Sequence, residues 1–267
     1  MLTLQNVNAG YNGIDVVYNI SLNVKEGENL CIIGPNGCGK TTLIKAISGI
    51  IPHDGIIKID GIDINNMKRE QVAEKIAVMA QISTVYFSYS IYETVLLGRY
   101  LHMKGRTFKE PSLKDKEYTD KCLKAVGLYN IKYKQINTLS GGQLQRVYLA
   151  RTLVQEPRII LLDEPTNHLD LKHQTELIDF LRDWSKCKGH SVIGVMHDLN
   201  LAIKLSDNML VLDNGNMAAY GNTNKIISSN LLNDVYDMNV TEYMIDSLRQ
   251  WEAYDSYYNK SKLRKVN

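Results

Sequence analysis

Gly34-Pro35-Asn36-Gly37-Cys38-Gly39-Lys40-Thr41-Thr42 fits the pattern G-x-x-x-x-G-K-[ST] at every fixed position. The pattern encodes a chemistry. Its glycines let backbone N–H groups turn inward and cradle phosphate oxygens, Lys40 reaches the terminal phosphates as a point charge, and the Thr41 hydroxyl is a ligand for Mg²⁺. The flanks agree. Glu28–Ile33 is a short run ending in four apolar residues that suits a buried parallel strand, and Thr42–Ile47 suits a helix whose N-terminus faces an anion. Strand, glycine loop and helix in that order predict an α/β fold built around a nucleotide-phosphate site.

Working upstream, Leu2, Leu4 and Val7, then Val16-Val17, then Ile20, Leu22 and Val24 alternate with polar residues, which predicts antiparallel strands. Downstream, Ile56–Asp60 reads as a strand, 68–77 as a short helix and Ile76–Gln81 as a strand. From about 91 to 155 the pattern is helical, with Ile91–Leu101, Lys114–Val126 and Gln143–Val154 as the candidate helices and a polar surface loop over 102–113. Strands Arg158–Leu162 and Ser191–Met196 follow, separated by a helix over about 171–187. Asn208–Leu212 is a further strand, with a turn at Asp213-Asn214-Gly215. Residues 223–267 read as short helices rich in tyrosine.

Arg158-Ile159-Ile160-Leu161-Leu162-Asp163-Glu164 is an apolar strand ending in two carboxylates. A buried strand delivers them to the C-terminal edge of the sheet, where open α/β sheets bind ligands. There Asp163 is placed to hold Mg²⁺ and Glu164 to polarise an attacking water.

Composition sets bounds. The formal net charge of +2 gives no electrostatic reason to expect nucleic acid. The basic run Lys260–Lys265 reads as a solvated tail. The cysteines Cys31, Cys38, Cys122 and Cys187 form no C-x-x-C pair, so neither a zinc site nor a redox motif is indicated. A thiol reagent on Cys38, inside the glycine loop, is expected to block nucleotide by bulk. No apolar run approaches the ~20 residues that span a bilayer, and Met1–Val7 has no leader pattern, so a cytosolic or peripherally attached protein is expected.

Leu139-Ser140-Gly141-Gly142-Gln143 adds a serine and two glycines at a helix start, where a hydroxyl and several N–H groups converge on an anion. Together with the glycine loop and the Asp163-Glu164 strand, it resembles the ATP-binding cassette family, the ATPases of ABC transporters, whose signature is this pentapeptide. The resemblance covers roughly residues 2–240. It implies a P-loop NTPase core with an antiparallel β subdomain and an inserted α-helical subdomain. The α/β core would span 2–88 and 155–222, the helical subdomain 89–154, and a C-terminal helical extension and tail 223–267.

The resemblance also assigns residues. Tyr11 matches the aromatic that stacks on adenine, with Val16 beside the base. Gln81 matches the glutamine that contacts Mg²⁺ and the attacking water. Asn167-His168-Leu169-Asp170 looks like the D-loop that bridges two subunits. His197 matches the histidine that bonds the γ-phosphate. It further implies a homodimer in which each ATP lies between the glycine loop of one copy and Leu139–Gln143 of the other.

Three stretches are similar to the importer ATPases for iron–siderophore complexes, haem and vitamin B12: Gly34–Leu43, Glu164–Gln174 and His197–Ala202. That implies transmembrane permease subunits, an extracytoplasmic substrate-binding protein as an indirect partner, and a place at the cytoplasmic face of the membrane. Thr84–Tyr92, with four aromatics in seven residues, is expected to line the permease groove. The competing reading is a soluble ATPase of this family without a permease, such as one serving iron–sulfur cluster assembly. A chromosome-organising ATPase is a poor fit, since only 100 residues separate Lys40 from Ser140 and no heptad tract intervenes.

Overall fold

The computed structural model describes residues 1–79, 89–103, 110–167, 169–187 and 189–263. Residues Met1–Thr223 form one compact unit and Asn224–Asn267 a second.

The chain opens with a hairpin of β1 (Leu2–Tyr11) and β2 (Ile14–Val24), paired antiparallel. Asn12 and Gly13 turn it at φ 53° and 78°, the left-handed pair that matches strand twist. β3 (Leu30–Ile33) is buried at all four residues, as a central parallel strand must be. After it come α1 (Lys40–Ile47), β4 (His53–Ile59), β5 (Ile62–Asp63), α2 (Arg69–Lys75) and β6 (Ile76–Met79). α3 (Ile91–Leu96), α4 (Leu113–Ala125) and α5 (Gly141–Leu153) pack on one another as a helical layer. β7 (Ile159–Asp163), α6 (Leu171–Lys186), β8 (Ser191–Val195), α7 (Leu199–Leu205), β9 (Asn208–Asp213) and β10 (Asn216–Asn222) complete the first unit.

The strands run β5-β4-β1-β2-β10-β9-β3-β8-β7-β6. The stretch β9-β3-β8-β7-β6 is parallel throughout, while β1, β2, β4 and β5 pair antiparallel. Leu43, Ile44 and Ile47 of α1 join a single core with Leu4, Val17 and Ile20 of the hairpin and Leu161, Val195 and Leu212 of the parallel strands. α1 is thus the pin between the two kinds of sheet, and its N-terminus is held at the C-terminal ends of β3, β7 and β8.

Some elements differ from the sequence reading. The pattern over 91–101 predicts one helix, but α3 stops at Leu96 and the chain tightens to 3₁₀ geometry over Leu97–Met103. Gly98 explains the change: a Cβ there would lie 2.5 Å from the Arg151 carbonyl oxygen of α5, so the turn is pressed against its neighbour. β10 went unassigned, although Asn214 and Gly215 at φ 44° and 79° make the hairpin turn that announces it.

The second unit contains α8 (Thr223–Ile227, its first residue closing the first unit), α9 (Leu231–Tyr236) and α10 (Val240–Leu263). α10 has 24 residues where only short helices were expected. Asn239 starts it, its Oδ1 accepting from the Glu242 N–H at 3.1 Å while its Nδ2 donates to Glu242 Oε2 at 2.8 Å. No described helix is long and apolar enough to cross a membrane.

Candidate active site

The loop between β3 and α1 is fixed by backbone approach. A Cβ on Gly34 (φ 146°) would lie 2.1 Å from the Leu212 carbonyl oxygen of β9, and one on Gly39 (φ 100°) would lie 2.5 Å from Val17 Cγ1 of β2. Glycine is required at both, and the hairpin and the parallel sheet grip the loop between them. The Gly215 N–H adds a bond to the Cys38 carbonyl at 3.2 Å. The Lys40 ammonium donates to the carbonyl oxygens of Gly34 and Pro35, each at 2.8 Å, so the charge is held inside the curl of residues 34–40. Thr42 is buried in α1, while Thr41, Asn36 and Gly37 lie nearer the surface.

Tyr11 ends β1 with its ring partly exposed. Lys45 of α1 lies against it, with Nζ 5.5 Å from the ring centroid and 3.3 Å from the hydroxyl. Val16 lies alongside, its carbonyl oxygen 3.3 Å from the Cβ position of Gly39. An aromatic face and an aliphatic side chain therefore flank the loop on its hairpin side.

The carboxylates arrive where their strand predicts. Thr41 Oγ1 donates to Asp163 Oδ1 at 3.0 Å, linking the start of α1 to the end of β7. Burial pushes the Asp163 carboxyl above its ordinary range. The Thr41 hydrogen bond opposes that shift, and the neighbouring Glu164 charge adds to it. A half-buried carboxylate beside a hydroxyl, at the base of a phosphate-shaped loop, is an oxygen donor set that fits a hard cation such as Mg²⁺. Among the described residues, no group of three or more His, Cys, Asp or Glu could hold a metal ion. A cation here would therefore take most of its ligands from phosphate and water.

Glu164 occupies the left-handed region at φ 53°, unusual for a non-glycine residue. Its N–H donates to the Val195 carbonyl at 3.2 Å, which ties the turn after β7 to the end of β8. The side chain is gripped twice: His197 Nε2 lies 2.5 Å from Oε1, and Asn167 Nδ2 donates to Oε2 at 2.6 Å. His197 reaches this point because the Met196 N–H bonds the Ile32 carbonyl at 3.3 Å, holding the exit of β8 against β3. Sequence reasoning places Asn167 in the D-loop stretch but gives it no contact with Glu164. Its signal was its place three residues after Glu164, within hydrogen-bond reach around one turn. Gln81 lies outside the described residues.

Ser140 caps α5. Its Oγ accepts from the Gln143 N–H at 3.3 Å, and its own N–H donates to Gln143 Oε1 at 3.2 Å. Gly141 and Gly142 form the first turn, with Leu139 just ahead. Asp170 caps α6, accepting from the His173 N–H at 2.9 Å, with His173 Nδ1 2.8 Å away. These bonds hold its carboxyl below the usual range. The two helix starts abut, since a Cβ on Gly142 would lie 2.9 Å from the His173 ring. Gln145 of α5 also donates to the Pro165 carbonyl. A cavity of about 300 Å³ opens beside this junction, lined by Gln145, Arg146, Leu169 and His173 among others. Residues 139–143 and 170 therefore belong to one rigid corner, linked through Gln145 to the turn that carries Glu164.

Comparison with known proteins agrees with this geometry. The ABC transporter family profile matches residues 17–167. An uncharacterised ABC transporter ATP-binding protein of Methanocaldococcus jannaschii is 41% identical over 232 residues, 86% of this chain and 89% of that one. The ferric enterobactin transport ATP-binding protein FepC of Escherichia coli is 35% identical over 230 residues, covering 86% and 84%. Among solved structures, a metal-chelate type ABC transporter in an inward-facing conformation superposes with a TM-score of 0.77 at 28% identity, covering 88% of each chain. A dimeric, post-hydrolysis ATP-binding cassette bound to ADP and phosphate gives 0.73 at 30% identity, covering 84% and 99%.

Proposed function

The chain belongs to the ABC transporter family as an ATP-hydrolysing cassette, and from that premise we propose that it energises the import of iron–siderophore complexes. In this reading two copies work beneath a transmembrane permease at the cytoplasmic face, with an extracytoplasmic protein delivering the cargo. The likeness to a ferric enterobactin transport subunit and to a metal-chelate type transporter supports the cargo class. The likeness to a dimeric cassette supports the pairing.

The residues take these roles. The backbone of residues 34–41 and the Lys40 ammonium bind the phosphates, while Tyr11 and Val16 receive the adenine. Thr41 and Asp163, with Gln81, hold Mg²⁺, which neutralises charge on the phosphates when bound. Glu164 accepts the proton of the attacking water. His197 holds Glu164 in place through Oε1 and reaches the γ-phosphate, while Asn167 holds the other carboxylate oxygen. Leu139–Gln143 present the start of α5 to the nucleotide of the second copy, and Asp170 sits at the subunit boundary. Closure of two copies on ATP is the power stroke, and hydrolysis releases it.

The observation that carries the assignment is the doubly gripped Glu164 carboxylate next to the Thr41–Asp163 pair. Glu164→Gln keeps the size of the side chain and one acceptor oxygen, and removes its basicity. We expect turnover to fall at least ~10²-fold, the lower range for loss of a positioned base. Size-exclusion chromatography with light scattering should show the variant held as a dimer by Mg-ATP. Turnover at the wild-type rate would remove Glu164 from the base role.

A further inference from the structure

Lys132 lies on the connection between α4 and α5, and its ammonium is caged. Nζ sits 4.3 Å from the Tyr129 ring centroid, 5.2 Å from that of Tyr92 and 5.4 Å from that of Tyr133. It also donates to Asp120 Oδ1 of α4 at 2.6 Å. The Tyr92 and Tyr133 rings lie 6.1 Å apart, and the Lys132 side chain is only 13% exposed. A cation drawn out of water onto aromatic faces and bonded to a carboxylate is held more firmly than an exposed ion pair. Lys132 thereby joins α3, through Tyr92, to α4, through Asp120, and both to the connection that carries it.

That connection leads to the start of α5. Its backbone runs antiparallel to the start of α3. The Tyr92 N–H donates to the Lys132 carbonyl at 2.8 Å, the Ile91 N–H donates to the Lys134 carbonyl at 3.0 Å, Ser90 bridges Gln135, and the Ile136 N–H donates to the Tyr89 carbonyl at 3.0 Å. Ile136 is buried and opens a 3₁₀ turn over Ile136–Thr138, and the Leu139 N–H bonds back to the Ile136 carbonyl at 3.3 Å. The next residue is Ser140, which caps α5. No slack separates this short ladder from the cap. The register of residues 132–136 on residues 89–92 therefore sets where Ser140 stands, and Lys132 locks one end of that register.

We propose that Lys132 is a positioning residue of the ATP site: its cage pins residues 132–139 against α3 and so holds the Ser140 end of α5 in the pose that meets the nucleotide of a second copy. The role rests on the shared-site reading above and is independent of the cargo. The glycine loop with which a copy binds its own nucleotide stands between β3 and α1, outside this path. Loss of the cage lowers the fraction of chains whose α5 start is ready to pair, and the apparent affinity between copies falls by that fraction. ATP binding by a single copy stays as it was.

The test uses the full chain in the Glu164→Gln background. Light scattering across protein concentration reads Mg-ATP-driven pairing, and a fluorescent ATP analogue reads binding by a single copy at concentrations too low to pair. Lys132→Met keeps the length of the side chain and removes its charge. It should weaken pairing about tenfold, within the range of a coupling between sites, with single-copy binding unchanged. Asp120→Asn, which leaves the rings in place, should act in the same direction. Lys132→Arg keeps the charge for Asp120 and the rings, and should retain most of the pairing. Hydrogen exchange by NMR on the nucleotide-free chain should quicken at the Leu139, Gln143 and Leu144 amides in Lys132→Met, while the parallel strands stay protected. Pairing at parental strength in Lys132→Met overturns the proposal. So does a loss that is equal in Lys132→Arg, or one matched by weaker single-copy binding, either of which makes the cage a general support of the fold. If the Glu164→Gln parent does not pair at all, the shared-site reading fails instead. The exchange result then still judges the cage, and unchanged rates at those three amides overturn its hold on α5.

Discussion

Cys38 sits where burial and charge oppose each other. Its Sγ lies 3.9 Å from the Lys40 ammonium, which favours the thiolate, but it is buried within the glycine loop, and burial is the larger effect. The thiol is therefore held above its ordinary range and is a poor nucleophile at neutral pH. Cys31 and Cys122 are buried too, and burial raises each thiol to about 12, whereas Cys187 is exposed. N-ethylmaleimide followed by peptide mass spectrometry should label Cys187 first and Cys38 much more slowly, with Mg-ATP slowing Cys38 further. Any adduct on Cys38 should abolish ATP binding, because even a Cβ on Gly34 would come within 2.8 Å of Sγ. Labelling of Cys38 as fast as Cys187 would refute the burial argument. Sequence reasoning predicts the blocked site but not the protection of the thiol, since spacing gives position in a motif and not depth.

At the scale of elements, the three helices of the inserted layer begin alike. Ser90 with Glu93, Ser112 with Asp115 and Ser140 with Gln143 each form a reciprocal capping box at the start of α3, α4 and α5. Each box fixes a helix start, and in α5 it fixes the one that faces nucleotide. The layer is also tied by a buried charge. Arg99, 3% exposed at its side chain, meets Asp115 of α4 at 3.1 Å, the Val154 carbonyl after α5 at 2.8 Å, and Glu156. Removing one member of a buried ionic group typically costs about 3–5 kcal/mol, because the remaining charge loses its partner in a dry site. Arg99→Ala should therefore lower the urea midpoint and melting temperature strongly. Lys172→Ala, which breaks the exposed Lys172–Glu176 pair, should change stability by less than about 0.5 kcal/mol. Equal effects in denaturant titrations would mean that the Arg99 cluster is solvated. The sequence showed Arg99 only as a basic residue in a helical stretch. Its depth follows from the tightened turn after Leu96, which no periodicity encodes.

Across the whole molecule, what was legible was what a local pattern dictates. Gly34–Thr42 implied strand, loop and helix, because its glycines answer to backbone contacts that the fold then supplies from Leu212 and Val17. Asp163 and Glu164 were readable because a four-residue apolar run can end only at a sheet edge. The meeting of Asn167 with Glu164 had a local signal in its spacing of three residues around one turn, but that of Gly142 with His173 was not readable, because it depends on where two helices dock. The same limit hides the apolar groove lined by Tyr89, Glu93, Leu96, Leu97, Tyr100 and Met103, with a volume of about 300 Å³. Of the stretch expected to line a permease groove, only Tyr89–Tyr92 falls among the described residues, and it contributes Tyr89 here. In our reading a cytoplasmic segment of the permease seats in this groove, which makes Leu97 the informative position. Leu97 is half exposed, so Leu97→Glu changes the groove without hollowing the core, and stability should move by no more than about 0.5 kcal/mol. ATP binding and basal hydrolysis by the isolated cassette should be unchanged. Uptake by permease-containing vesicles should fall sharply, since a carboxylate driven into an apolar contact must be desolvated without a partner. Normal uptake in Leu97→Glu would place the permease contact elsewhere. Parallel loss of uptake, basal hydrolysis and melting temperature would show that the groove is part of the core.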